Sequence, residues 1–129
     1  MSEAVVDSSA ILAYLRSERG GLHVEQVLAA GAVVSAVNLS EVVAKLTEAG
    51  TSEEVIRATL SGLDFDSVAT FDIYDAYLAG LLRPKTRRAG LSLGDRACLA
   101  LAHRLGLPVL TADAAWAQLD LGIAVTVIR

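Results

Sequence analysis

The chain has 129 residues, enough for one domain with a sizeable core and too few for two. Apolar residues make up 53% and aromatic residues 5%, a globular composition that excludes a disordered chain. Eleven Lys and Arg against fifteen Asp and Glu leave a net charge of −4, which excludes a protein that grips nucleic acid by overall charge.

The longest nearly unbroken apolar run, "LAAGAVVSAVNL", is interrupted by glycine, serine and asparagine and is too short to span a bilayer. At the N-terminus there is no basic segment, and Glu3 and Asp7 interrupt what would be the apolar core of a signal peptide. One cysteine, Cys98, excludes an internal disulfide. The expectation is a cytoplasmic protein with no membrane association.

In chain order, "AVVDSS" reads as a strand that stops at Asp7. "SSAILAYLRSE" places Ile11, Leu12 and Leu15 at helical spacing and ends at "RGG". A second helix, "LHVEQVLAA", leads to a second strand, "AVVSAV". "NLSEVVAKLTEAG" puts Leu39, Val42, Val43 and Leu46 on one helical face and closes at Gly50. The next helix, "TSEEVIRATLSGL", opens with the capping-box spacing of Thr51 and Glu54. "DSVATF" is a short third strand, and "DIYDAYLAGLLRPKTRRAG" is a helix that fades at Pro84 into a basic loop. After it come the helix "SLGDRACLALA", a fourth strand "PVLTAD", a short helix "AAWAQLDL" and a last strand "IAVTVI". Strands and helices alternate, and the strands are continuous apolar runs. Both features predict an α/β fold, a three-layer α/β/α sandwich around a central parallel sheet.

Four acids stand out by position. Asp7 and Asp113 lie at the carboxyl ends of predicted strands, where open α/β sheets place their ligands. Glu41 and Asp95 lie in the first turns of helices. Each has a local explanation: Asp7 and Asp113 as caps of the following helices, and Asp95 in a capping box with Ser92. Glu41 has Asn38 three residues before it and Lys45 four after it. Together they suggest more, because helix starts and strand ends share one edge of a parallel sheet. Two carboxylates ~5 Å apart repel by roughly 3 kcal/mol at an effective dielectric of 20, so four invite a cation. All-oxygen ligands suit Mg²⁺ or Mn²⁺. Setting the four aside leaves eleven acids against eleven bases, so the acidity of the chain resides in this set.

"VVDSSAILAYL", "SAVNLSEV", "LSLGDRACLALA" and "VLTADAAW", in this order and spacing, resemble PIN-domain proteins, specifically the VapC-type toxin ribonucleases. The resemblance spans residues 1–129 as a single PIN-like nuclease domain. It implies Asp7, Glu41, Asp95 and Asp113 as the catalytic acids, with Asp7, Asp95 and Asp113 holding metal. Ser9 and Thr111 match the small hydroxyl residues that support them. It further implies a Mg²⁺-dependent endoribonuclease, with Mn²⁺ as a substitute, that is inhibited by a cognate antitoxin protein and forms a homodimer. The chemistry suits such a set: a metal held by carboxylates activates water for in-line attack on an RNA phosphodiester.

Arg83, Lys85, Arg87 and Arg88 form the one basic cluster. Its solvated-loop reading stands beside one in which Arg87 and Arg88 contact RNA phosphates. Arg96 is a third candidate, for RNA or for an acid partner. Cys98 and Trp116 read as packing residues, and His23 and His103 receive no catalytic role. Two rival classes are a receiver-like signalling module and a PIN-like domain that binds without cutting. A receiver wants an acidic pair early and a lysine after a late strand, and "VVDSS" and "VLTAD" have neither. An aspartyl-phosphate phosphatase wants a second Asp where Ser9 stands.

Overall fold

The computed structural model describes residues 2–129, so only Met1 of the expected 1–129 domain lies outside it. Five short strands form one sheet: β1 (Ala4–Val6), β2 (Ala32–Ser35), β3 (Ser67–Ala69), β4 (Val109–Thr111) and β5 (Val125–Val127). Their order is β3-β2-β1-β4-β5, and every pairing is parallel. The register sets Val5 beside both Val33 and Val109. Receiver modules use the doubly wound order 2-1-3-4-5, so the observed order excludes that rival.

Helices fill both faces, as the apolar strands require. Ala4, Val6, Val34 and Leu110 point to one face. There they meet Ile11 of α1 (Ser8–Leu15), Val24 of α2 (Gly21–Ala30), Val42 of α3 (Ala36–Glu48) and Leu63 of α4 (Glu53–Leu63). Val5, Val33 and Val109 point to the other. They pack on Leu82, between α5 (Ile73–Leu81) and α6 (Arg83–Thr86), and on Cys98, Leu99 and Leu101 of α7 (Leu93–Leu105). A 3₁₀ helix, Ala114–Gln118, buries Trp116 against the same face. Burying side chains such as Leu99 and Leu101 contributes about 1.5–3 kcal/mol each. The result is the predicted three-layer sandwich. Among the described residues, no helix is long and apolar enough to cross a membrane.

Three local expectations need correction. The second strand stops at Ser35, whose hydroxyl accepts from the Val37 N–H at 3.2 Å and caps α3, so Ala36 and Val37 are helical. A short apolar run carries no period that separates strand from helix. The cap of α4 is Ser52, not Thr51, because the Thr51 N–H closes the end of α3 on the Leu46 carbonyl at 3.0 Å. The basic segment is no open loop. Pro84 sits in the first turn of α6, where a missing N–H costs nothing, and Arg83–Thr86 is helical.

This topology creates a switch point. Chain connections leave β1 toward β2 on one side, while β4 lies on its other side. The crevice beyond the carboxyl ends of β1 and β4 is where such sheets bind ligands. Because crossover helices run antiparallel to the strands, the N-termini of α3 and α7 rise at the same edge.

Candidate active site

Asp7 follows β1 and caps α1, its Oδ1 accepting from the Ala10 N–H at 2.8 Å. The side chain is only 2% exposed, yet three more hydrogen bonds reach it. Ser9 donates to Oδ1 at 2.8 Å and Oδ2 at 3.0 Å, and Thr111 donates to Oδ2 at 2.6 Å. Burial pushes its pKa from 3.8 up to about 6; the hydrogen bonds from Thr111, Ala10 and Ser9 oppose the rise, and the charge of Asp95 adds to it.

The hydroxyls that hold Asp7 also tie β4 into the site. Ser9 Oγ lies 3.2 Å from Thr111 Oγ1 and accepts from the Ala112 N–H at 2.9 Å. Thr111 Oγ1 accepts from the Asp113 N–H at 3.1 Å. Asp113 itself is exposed and caps the 3₁₀ helix, its Oδ1 accepting from the Ala115 N–H at 3.0 Å.

Glu41 belongs to a second network. Its Oε1 accepts from Ser8 Oγ at 3.1 Å and from Asn38 Nδ2 at 2.9 Å. Asn38 Nδ2 also donates to the Gly94 carbonyl at 3.0 Å, which ties α3 to the first turn of α7. Asn38 is fully buried, and among the described residues its Oδ1 has no partner. Gly94 makes the approach possible: a Cβ there would lie 2.3 Å from Glu41 Oε2. The expected pair of Glu41 with Lys45 does not form; Lys45 reaches Glu48 instead, at 3.9 Å.

Asp95 answers to both of its explanations. It completes a capping box, its Oδ2 accepting from the Ser92 N–H at 2.9 Å while its own N–H reaches Ser92 Oγ at 3.2 Å. Among the described residues its Oδ1 accepts no hydrogen bond from the protein. Its pKa is raised, first by burial, then by the charges of Glu41 and Asp113, against the lowering effect of the Ser92 bonds. So Asp95 is a helix cap that also sits in the field of the other acids.

Cys98, one turn along α7, lies beneath them. Burial drives its thiol pKa well up, and the charges of Asp7, Asp95 and Glu41 drive it the same way. It is the core residue the sequence suggests, and Trp116 is likewise fully buried packing.

The structure thus brings all four predicted acids to one edge, with Ser9 and Thr111 beside them. Among the described residues, no ion pair engages any of the four; the pairs are Lys45–Glu48, Arg57–Glu53, Arg104–Asp75 and Arg129–Glu18. Nor do three acidic, histidine or cysteine side chains among the described residues form a closed metal cage as they stand. Asp7, Glu41, Asp95 and Asp113 are each held by hydrogen bonds of their own. The donor chemistry nevertheless fits a hard divalent cation: carboxylate oxygens, hydroxyl support and no competing counter-charge. Sequence reasoning missed Ser8 and Gly94 and read Asn38 only as a capping partner. A glycine inside a helix start was the available signal, since it costs about 1 kcal/mol against alanine and calls for a packing reason.

The RNA candidates fare unequally. Arg87 and Arg88 are exposed beside α6. Among the described residues Arg96 meets no acid and its buried Nε has no partner; its Nη1 donates to the Ala79 carbonyl of α5 at 2.9 Å.

Comparison with known proteins agrees with this architecture. The family model of the PIN domain matches residues 4–121. Among solved structures, a chain of a toxin–antitoxin complex from Klebsiella pneumoniae superposes with a TM-score of 0.73 at 21% identity, covering 98% of each chain. A chain of DNA-bound VapBC from Salmonella typhimurium gives a TM-score of 0.73 at 18% identity over 100% of both chains. VapBC-5 from Mycobacterium tuberculosis gives 0.60 at 21% identity, covering 100% of this chain and 99% of that one. At these identities the likeness is one of fold. Among curated protein sequences none matches.

Proposed function

The chain belongs to the PIN-domain family, and from that premise we propose that it is a divalent-metal-dependent endoribonuclease, the toxin of a toxin–antitoxin pair. One observation carries the reading. Four carboxylates from four separate segments lie along the switch-point edge, within one another's electrostatic field and without a cationic partner among the described residues, and one of them is buried with a pKa of about 6.

Asp7, Asp95 and Asp113 would hold Mg²⁺ or Mn²⁺, with Glu41 completing the catalytic set. A bound ion of this kind supplies Lewis acidity at the phosphodiester and acidifies water. Ser9 and Thr111 fix the Asp7 carboxylate by hydrogen bonds and keep both of its oxygens directed. Ser8 and Asn38 do the same for Glu41. Asp95 Oδ1, which accepts no hydrogen bond among the described residues, is the acceptor available to orient the attacking water and take its proton. Asp113, exposed at the rim, meets solvent and substrate first.

The antitoxin partner rests on the fold shared with VapBC complexes. A homodimer is supported by the outer face of α5, where Ile73, Tyr74 and Tyr77 are 70–77% exposed. A cytoplasmic location, where RNA is the substrate, belongs to the same proposal.

The test is cleavage of pooled cellular RNA by purified protein with Mg²⁺, with Mn²⁺ and with chelator. Cutting in metal and none in chelator is expected. Equal cutting in chelator overturns the metal mechanism, and no cutting under any condition favours a PIN-like binding module.

A further inference from the structure

An open groove of about 610 Å³ runs between the basic segment and the 3₁₀ helix. Lys85, Arg88 and Ala89 line it from one segment, and Ala115, Gln118, Leu119 and Asp120 from the other. The size falls within the range of ligand sites, roughly 300–1,000 Å³. Its position is telling. Ala115 is the residue whose N–H bonds Asp113 Oδ1, so the lining of the groove is joined directly to the acid cluster.

Four of the eleven Lys and Arg residues fall within positions 83–88. All four are exposed, and among the described residues none is in an ion pair. The groove divides them. Lys85 on α6 and Arg88 in the turn that follows it both line the groove, whereas Arg83 and Arg87 do not. The turn is anchored from beneath. Buried Thr86 donates to the Leu82 carbonyl at 2.9 Å, and its own carbonyl accepts from the Leu91 N–H at 3.3 Å. A second bond, Gly90 N–H to the Arg87 carbonyl at 3.0 Å, closes the bend. The two groove cations are therefore presented on a built element.

We propose that this groove is the track by which single-stranded RNA reaches the acid cluster, with Lys85 and Arg88 holding its phosphates. The inference rests on the nuclease reading and adds the substrate's path to it. A chain of net charge −4 with an acidic site repels a polyanion, so local cations must supply the approach. From the other segment, Ala115 and Leu119 offer apolar surface to ribose and base. Asp120, the one acid in the lining, opposes a phosphate beside it.

Fluorescence anisotropy of a labelled 12-nucleotide single-stranded RNA, in chelator so that nothing is cut, tests this across a salt series. Lys85→Gln/Arg88→Gln removes two groove charges, and Arg83→Gln/Arg87→Gln removes two neighbouring ones. The groove pair is expected to flatten the slope of log K against log salt by about 1.4, at ~0.7 per phosphate contact on single strands. The neighbouring pair leaves the slope near wild type, and Asp120→Asn tightens binding. Thermal melts confirm that these exposed substitutions leave the fold intact.

Equal flattening by both pairs means a diffuse field and overturns the proposal, as does an unchanged slope or a wild type that binds no RNA. Capture of a poly-glutamate peptide in place of RNA would assign the groove to an acidic protein segment and overturn it too. A wild type that cuts RNA while the groove pair keeps its slope loses the track but not the nuclease. One that binds with the expected slope and cuts nothing keeps the track and loses the nuclease.

Discussion

Replacing Asp7 with Asn separates what the acid costs from what it does. A rise from 3.8 to about 6 means that keeping Asp7 ionised in the folded protein at pH 7 costs about 3 kcal/mol, at about 1.4 kcal/mol per pH unit. Asparagine removes that cost and keeps an oxygen to accept from Ala10, though it gives up part of the bonding to Ser9 and Thr111. The metal-free variant is expected to be about 1–3 kcal/mol more stable at pH 7, a gain of about 4–12 °C in Tm. The pH dependence has a definite sign. Between pH 4 and pH 6 the folded wild type binds more protons than the unfolded chain, so the stability from a raised pKa is present at low pH and is lost as pH rises toward 6. Urea unfolding from pH 4 to 7.5 should show this decline in wild type and a shallower one in Asp7→Asn. Added Mg²⁺ should restore stability to the wild type far more than to the variant. A variant less stable than wild type at pH 7, with an unchanged pH profile, would refute the reasoning and make Asp7 a cap alone.

Gly94→Ala should gain about 1 kcal/mol of helix propensity but push the Glu41 carboxylate off its seat. Stability within about 1 kcal/mol of wild type is expected, since losing the Ser8 and Asn38 bonds offsets the gain; Mg²⁺-dependent cleavage should fall at least tenfold, and full activity would contradict the role of the glycine. Arg104→Ala breaks the two-pronged pair with buried Asp75, 2.9 and 3.2 Å, that staples α7 to α5. Because Arg104 is 41% exposed, the loss should be about 1–3 kcal/mol in denaturant melts, less than for a fully buried pair. No measurable loss would show that water replaces it.

Much of this was legible in the residues because strand ends and helix starts carry chemical signatures. Asp7, Asp95 and Asp113 are caps as well as acids of the candidate site, so local rules located them and the parallel topology set them along one edge. The apolar runs of the strands likewise announced a sheet covered on both faces, and "VVDSS" already argued against a receiver before the strand order did. What escaped was long-range. Asn38 meets Gly94 across 56 positions, and no local period encodes that contact. The separation of Arg88 from Arg87 at the groove depends on the turn that α6 opens at Pro84, which a loop reading treats as undirected charge. Arg96 looked available to RNA beside Asp95, but the packing of α7 against α5 turned it to a backbone carbonyl.

The central claim is that these carboxylates make a metal-dependent cutting centre, and the most direct measurement pairs wild type with Asp95→Asn, prepared identically, on one single-stranded RNA over a range of free Mn²⁺. The cap tolerates the change, because asparagine retains an oxygen for the Ser92 N–H. Wild type should cut with saturable dependence on Mn²⁺ and fall silent in chelator, while the folded variant stays at least a hundredfold slower at every concentration. Cleavage by the variant at the wild-type rate, or by either protein in chelator, would contradict the claim.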